Sequence, residues 1–479
     1  MSIRPCPYPI RHFHDECGCS RCGARYKRSS VRRSDVPPPR FPCAGRSLVS
    51  RISRLVFNAS RTGFLAMAVF ATAAAQGVTI DWVTVGNAGN AADTTGYGAV
   101  GYQYQIGKYE VTIQQYADFL NAVAASDPYG LYNSNMGSDQ RVAGISRAGV
   151  SGGYTYSVVS PAGVAPAGAD SPGNRPITWV SWFDAARFTN WMNNGQGSAS
   201  TESGAYTMST GQITAASRTG GVNTYTLSAP STLSVGDQVS VSGLGGTAFN
   251  VRGIVTSVAG SQFTMANTNS NAVATGTGSM TGVSATAATN AAFSIPTEDE
   301  WYKAAYYSPV KGGVGTPGYY TYATLSDTRP DNTIGGSVNQ ANWYDGAYAV
   351  TQTTFAIGQN YLTNAGAFTN SFSYYGTFDQ NGNVGEFNAA ITGTTSGSPG
   401  SLRGSRGGVY NEDQAAYGLS SADRGGNSPA GENWYTGFRL AAPVAVPEPA
   451  TCFMSLTGLA CGGFSVWRRR AARMAGHGR

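Results

Sequence analysis

Three stretches of the chain place apolar residues at the three-and-four spacing of a helix face. In "EVTIQQYADFLNAVAA", Tyr116, Phe119, Leu120 and Val123 fall on one side, with Thr112 and Gln115 at capping-box spacing just before them. "VSWFDAARFTNWMNN" repeats the device, with Ser181 as N-cap and Trp182, Ala185, Ala186 and Trp191 facing inward. "IPTEDEWYKAAYY" does so again with Thr297 and Glu300. The carboxylates Glu298, Asp299 and Glu300 invite an acid–base reading. A helix's first turn explains them more simply, because acidic side chains there satisfy free N–H groups and the macrodipole.

Residues 207–290 follow a different rule. "TLSVGDQVSVSGLGG" and "FNVRGIVTSVAGSQFTM" alternate apolar and polar positions between glycine turns, and composition shifts to Ser, Thr, Gly and Val without tryptophan. Period-two alternation predicts a small all-β insertion, similar in composition to the β-modules of phage tails and other surface proteins. Its expected role is a decoration on a surface loop. The remaining Gly-, Asn- and Tyr-rich sequence predicts short strands and long ordered loops rather than a parallel sheet.

Both ends carry short apolar runs with basic flanks. Arg51, Arg54 and Arg61 precede an apolar run from Gly63 to Ala71, with small residues at Ala73 and Ala75, the pattern of an export signal cleaved near Ala75. Upstream, "HFHDECGCSRCG" gathers His12, His14, Cys17, Cys19 and Cys22. It reads either as a zinc knuckle or as an overlong start removed with the signal. At the other end, Pro447, Glu448 and Pro449 precede 18 uncharged residues from Ala450 to Trp467, then Arg468, Arg469 and Arg470. That is about the shortest run able to span a bilayer, with the basic cluster cytoplasmic.

Composition then narrows the chemistry. All seven cysteines and all three histidines lie at or before Cys43 or at or after Cys452. The body between therefore lacks imidazole and thiolate, which excludes a His-dependent triad, a Cys nucleophile and soft-metal sites. Carboxylates, amides, hydroxyls and carbonyls remain, a set suited to calcium and sugars. The formal charge of +6 is an average over unlike regions: residues 1–61 carry 13 basic and 3 acidic residues, and residues 468–479 carry 5 basic ones. The middle holds 14 basic and 23 acidic residues, a net of −9 that argues against nucleic-acid binding.

The ordered blocks "YQIGKYEVTIQQYADFL", "RPITWVSWFDAARFTNWM", "SIPTEDEWYKAAYY", "NGNVGEF", "RGSRGGVY" and "GFRLA" resemble the formylglycine-generating enzyme, or sulfatase-modifying factor, family. The resemblance covers about residues 96–206 and 291–442. It implies a compact α+β fold related to C-type lectins, poor in regular structure and often holding calcium. Members that oxidise a sulfatase cysteine use a copper-binding cysteine pair whose positions here fall near Glu412 and Tyr417, neither a thiolate, so no copper is expected. The block usually written GNVWEW also departs, with Gly385 and Phe387 in place of tryptophans. The resemblance further implies calcium ligands at Asn342, the Trp343 carbonyl, Asp379, the Gly382 carbonyl and Glu386. The tail resembles the PEP-CTERM sorting signal, which implies an exosortase partner and transient membrane contact.

The expected architecture is therefore an export leader at 1–75, a sulfatase-modifying-factor-like domain in two parts (76–206 and 291–442), the β insertion at 207–290, and a sorting tail with one membrane span at 443–479. A binding face is expected where the two parts meet, from Arg403, Arg406, Tyr410, Glu412, Asp423, Arg424, Asn427 and Trp434, whose forks and aromatic plates suit a sugar or an extended peptide. For the arginines, and above all Arg439, pairing with internal carboxylates and carbonyls is the competing use. The functional expectation is an exported surface or matrix protein, catalytically degenerate, whose partner is extracellular polysaccharide or a surface protein. An oxidase or other enzyme on the same fold, and a purely structural matrix protein, are the alternatives.

Overall fold

The computed structural model of the 479-residue chain describes residues 77–160, 163, 171–245, 247–411 and 418–444. The leader, the 450–467 segment where a membrane span was expected, the Pro447–Pro449 and Arg468–Arg470 sorting elements, Glu412 and Tyr417 lie outside these residues. Among the described residues no helix is long and apolar enough to cross a membrane.

The two ends of the domain meet in one sheet. Strand Tyr104–Gly107 pairs with Trp82–Val85 on one side and with Ala441–Pro443 on the other, both antiparallel. The predicted helices form at Ile113–Val123, Trp182–Asn193 and Glu298–Tyr306, each closed by a reciprocal capping box: Thr112 with Gln115, Ser181 with Asp184, and Thr297 with Glu300. The side chain at the third helical position returns a bond to the N-cap N–H, so local chemistry sets each start.

The first two helices build the main core. Phe119, Phe188 and Trp191 meet with ring centroids 5.4–5.6 Å apart, and Phe188 stands edge-on to Phe438 at 5.5 Å. Each such buried side chain contributes about 1.5–3 kcal/mol. The second helix is buried nearly all round, beyond its predicted inward face. This is possible because its polar residues find internal partners: Asn190 donates to the Thr201 and Tyr206 carbonyls at 2.7 and 2.9 Å, and Arg187 pairs with Glu202 at 2.7 Å.

A four-stranded sheet carries the site. Its centre is a hairpin of Gly385–Thr395 and Ser398–Arg406, flanked by Gly425–Asn427 on the second strand and by Thr436–Phe438, parallel to the first. The Gly382 turn that leads into this hairpin has φ +79°, and a Cβ there would lie 2.1 Å from the Asn342 carbonyl oxygen. Only glycine allows that approach.

The insertion is all-β, as its alternation predicts, and it closes on itself. Met208–Thr219 pairs with both Gly278–Val283 and Val222–Leu227, which joins the ends of the strand order into a six-stranded barrel around Tyr225, Val239, Phe263 and Met265. It is braced more firmly than a loop decoration. Gln238 donates to the Gly400 carbonyl at 2.8 Å and accepts from Arg403 Nε at 2.6 Å, while Asn267 Nδ2 donates to Ser398 Oγ at 3.1 Å. Gly400, at φ +67°, lies so close that a Cβ would meet Ile254 at 2.3 Å.

Candidate functional site

A cleft of about 440 Å³ opens beside the short rim strand Gly425–Asn427. Its floor is backbone, from Gly385, Gly408, Gly425 and Gly426, and side chains of Ser405, Arg406, Asn411, Asp423, Asn427, Trp434 and Tyr435 enclose it. Glycines here leave peptide N–H and C=O groups unshielded by side chains. Tyr410 stands edge-on to Trp434 at 5.8 Å, and the Arg141 guanidinium lies 4.3 Å over one face of its ring. Burial raises the Asp423 carboxyl, against a hydrogen bond from the Ser420 N–H. The Asn411 Oδ1 atom is shielded from solvent and has no hydrogen-bond partner among the described residues.

Of the eight residues expected to form a binding face, Arg406, Asp423, Asn427 and Trp434 line this cleft. Tyr410 is buried against Trp434, its hydroxyl without a partner among the described residues and its ionisation pushed far up by burial. Glu412 is outside the described residues. Arg403 and Arg424 are elsewhere engaged. Arg403 is fully buried 3.6 Å over the Trp182 ring and donates to Gln238 and to the Ala389 carbonyl, so it braces the barrel and cannot meet a ligand. Arg424 holds Glu298 through two bonds of 2.7 and 2.6 Å.

Glu298 is the residue that sequence reasoning undervalued. Its carboxylate is shared by Arg424 and by Arg406, whose Nε donates at 2.8 Å, and Arg406 Nη1 also donates to the Ser421 and Asp423 carbonyls. The cation at the cleft wall therefore shares its single counter-ion with Arg424, one carboxylate against two guanidiniums.

Beneath the sheet lies the pair Glu386 and Arg439, both wholly buried. Arg439 donates to Glu386 at 2.5 and 2.6 Å, to the Gly107 carbonyl at 2.9 Å and to the Phe378 carbonyl at 2.8 Å, while Trp301 Nε1 donates to Glu386 at 2.8 Å. This is the structural use favoured for Arg439, and it bears on calcium. Both Glu386 oxygens are filled by a guanidinium, and the Trp343 carbonyl accepts from Asn332 at 3.2 Å. The Asn342 amide donates to the Tyr361 carbonyl and to Asn383, Asp379 accepts from the Gly366 N–H at 2.6 Å, and Gly382 is bridged to Asn342. The sequence blocks bring Asn342 and Gly382 side by side, but in this arrangement the five residues do not fit a calcium ion. Among the described residues no group of three or more Asp, Glu, His or Cys could hold a metal. One neighbouring carboxylate, Glu110, is 2 % exposed with neither side-chain oxygen hydrogen-bonded among the described residues, and burial together with Asp379 and Glu386 pushes it well up.

Ser405, Asn411, Tyr435 and the rim glycines were missed. Tyr435 and Asn411 sit beside predicted residues and carried no separate signal, and a backbone floor has none to give.

The chain is similar to three solved structures. The Treponema denticola variable protein 1 aligns at 16 % identity over 76 % of this chain and 96 % of its own, with a TM-score of 0.35. CarF aligns at 17 % identity over 77 % and 99 %, TM-score 0.36. PvdO from Pseudomonas aeruginosa aligns at 12 % identity over 76 % and 92 %, TM-score 0.29. No curated protein sequence matches the chain. The sulfatase-modifying factor enzyme 1-like domain matches residues 99–444, well over half of the 479, and the chain belongs to that family.

Proposed function

We propose that this is an exported surface or matrix protein whose sulfatase-modifying-factor-like domain binds carbohydrate in the Asn411 and Trp434 cleft and performs no oxidation. The observation that carries the reading is the Asn411 Oδ1, shielded and without a partner among the described residues, beside the Trp434 plate and the glycine rim. A buried acceptor without a donor costs about 1–3 kcal/mol, which a ligand hydroxyl would recover. A sugar supplies hydroxyls for Asn411, Asn427 and the rim peptides, and an apolar ring face for Trp434.

The absence of Cys and His from the body supports the non-oxidising part, since copper and oxygen chemistry in this family rests on a thiolate pair. The signal around Ala75 and the Pro447–Pro449 tail with Arg468–Arg470 support export followed by exosortase sorting to the surface or the polysaccharide matrix.

The test is retention of the mature exported protein, shown folded by circular dichroism, on the host's own exopolysaccharide, beside the variants N411A and W434A. Native protein is retained and both variants are released. Equal retention of the variants places any binding elsewhere, and no retention of folded native protein points to a structural role. Conversion of a cysteine-containing sulfatase peptide with copper and oxygen, read by mass spectrometry, would establish the oxidase instead.

A further inference from the structure

Trp434 walls the cleft and is also the near edge of a second surface, a shelf of aromatic rings. Trp434 and Tyr348 both pack, half-buried, on the cluster built around Tyr361 and Tyr410. Those two buried rings stack with centroids 6.1 Å apart and 9° between their planes, and the Tyr348 ring lies 4.0 Å from Tyr361 and 6.5 Å from Tyr410. Phe355 continues the row, 6.4 Å from Tyr348 and 52 % exposed, and Ile357 is 86 % exposed. Contiguous apolar surface of this kind beside polar groups marks a binding site.

Arg141 joins the shelf to the cleft wall. Its guanidinium lies over Trp434, and its carbonyl accepts from the Tyr361 N–H at 2.9 Å. Asp139 accepts from its Nε at 2.9 Å and its Nη2 at 2.6 Å, so this cation carries its own counter-ion. The rings are held in place beforehand. The Tyr361 hydroxyl accepts from the Ala356 N–H at 2.7 Å, and the Tyr348 N–H donates to the Thr353 carbonyl at 2.9 Å, which pins the loop that carries both exposed rings. On the Trp434 side, Trp179 sits at φ +59°, a left-handed conformation that is an outlier for a bulky residue, and its N–H donates to the Asn433 carbonyl at 2.9 Å. Strain persists where the surrounding structure enforces it, and here it holds the residue next to Trp434.

We propose that the carbohydrate site is a track rather than a single pocket, in which an internal stretch of a polysaccharide passes from the cleft over Trp434 and stacks further sugar rings on Tyr348 and Phe355. A sugar ring offers an apolar face to each plate, and its hydroxyls meet the exposed Gln352, Thr353 and Thr354 of the same loop. A ligand that spans successive plates needs no chain end. The class of partner is therefore the body of a long glycan, not a free sugar or a terminal residue.

The track rests on the carbohydrate reading of the cleft, and its test separates the two. Size-graded fragments of the host's exopolysaccharide, made by partial acid hydrolysis, are titrated calorimetrically into the mature native protein, F355A, Y348A and N411A, each shown folded by circular dichroism. Phe355 is at the surface, so F355A keeps the fold even if Y348A does not. For native protein, affinity rises about tenfold from the shortest fragment bound to the longest. F355A and Y348A bind the shortest fragment as native protein does and lose the rise. Affinity independent of length in native protein, or an undiminished rise in F355A, would overturn the track; loss of binding in N411A would then leave the cleft reading standing. Folded native protein that binds no fragment of any length would remove both.

Discussion

Replacing Arg439 with methionine should nearly unfold the domain, because the buried anion it faces cannot be hydrated. Glu386 and Arg439 are both wholly shielded, and the guanidinium supplies two of the three donors that reach the Glu386 carboxylate, leaving Trp301 Nε1 at 2.8 Å when it is gone. The Gly107 and Phe378 carbonyls lose their donors too. Breaking one side of a buried ion pair costs about 3–5 kcal/mol, and each orphaned carbonyl adds about 1–3 kcal/mol. Domain stabilities are about 5–15 kcal/mol, so R439M stands at the threshold of folding. E386Q strands the cation instead and should cost a similar amount. The double variant E386Q/R439M leaves no uncompensated charge and should fall short of the summed single effects by at least about 2 kcal/mol. Urea denaturation followed by tryptophan fluorescence reads all four proteins, with R439K substituted if R439M does not accumulate. An R439M cost below about 1 kcal/mol, or strict additivity in the cycle, would refute the reading of Glu386 and Arg439 as a buried ion pair on which the fold depends.

Arg403 offers a contrast: it is buried against Trp182 without a carboxylate, so R403M leaves no stranded anion, only the Gln238 and Ala389 oxygens without their donor, and should cost about 2–6 kcal/mol, less than R439M in the same denaturation assay. G400A should destabilise by at least about 1–3 kcal/mol, since φ +67° disfavours a Cβ and that Cβ would meet Ile254 at 2.3 Å; a neutral result by thermal melting would mean that the barrel does not press on the hairpin. Glu110 sets a pH dependence. Burial, Asp379 and Glu386 hold its carboxyl well above its usual 4.5, so the folded state binds that proton more tightly and loses stability as pH rises above that value. The melting temperature of the native protein should therefore fall from about pH 5 to about pH 8, and fall less in E110Q; equal slopes would clear Glu110 of the effect.

The parts of this fold that were legible in the sequence are those decided within four residues. The three capping boxes formed at Thr112, Ser181 and Thr297 because an N-cap and its third helical residue satisfy each other without help from the rest of the chain. Alternation over 207–290 likewise announced strands. Closure into a barrel was not visible, since it depends on which strand ends meet, here Ile213 with Leu227, and on a docking surface far along the chain at Ser398–Arg406. The arginines show the same boundary. Arg406 and Arg424 looked like ligand forks, but their carboxylate, Glu298, lies 108 and 126 residues away and was read as a helix-turn acid. It serves as both. The calcium expectation failed to fit for a related reason: whether Glu386 faces a metal or a guanidinium depends on where "GFRLA" comes to rest, which no local spacing reports. The cleft was half legible, through its side chains and not through its glycine floor.

Carbohydrate binding in the Trp434 cleft, as proposed for this family member, is tested most directly by retention of the mature protein on the host's exopolysaccharide, compared with N411A and W434A of matched fold. Native protein should be held and both variants lost. Equal retention of all three, or passage of folded native protein without delay, would contradict it.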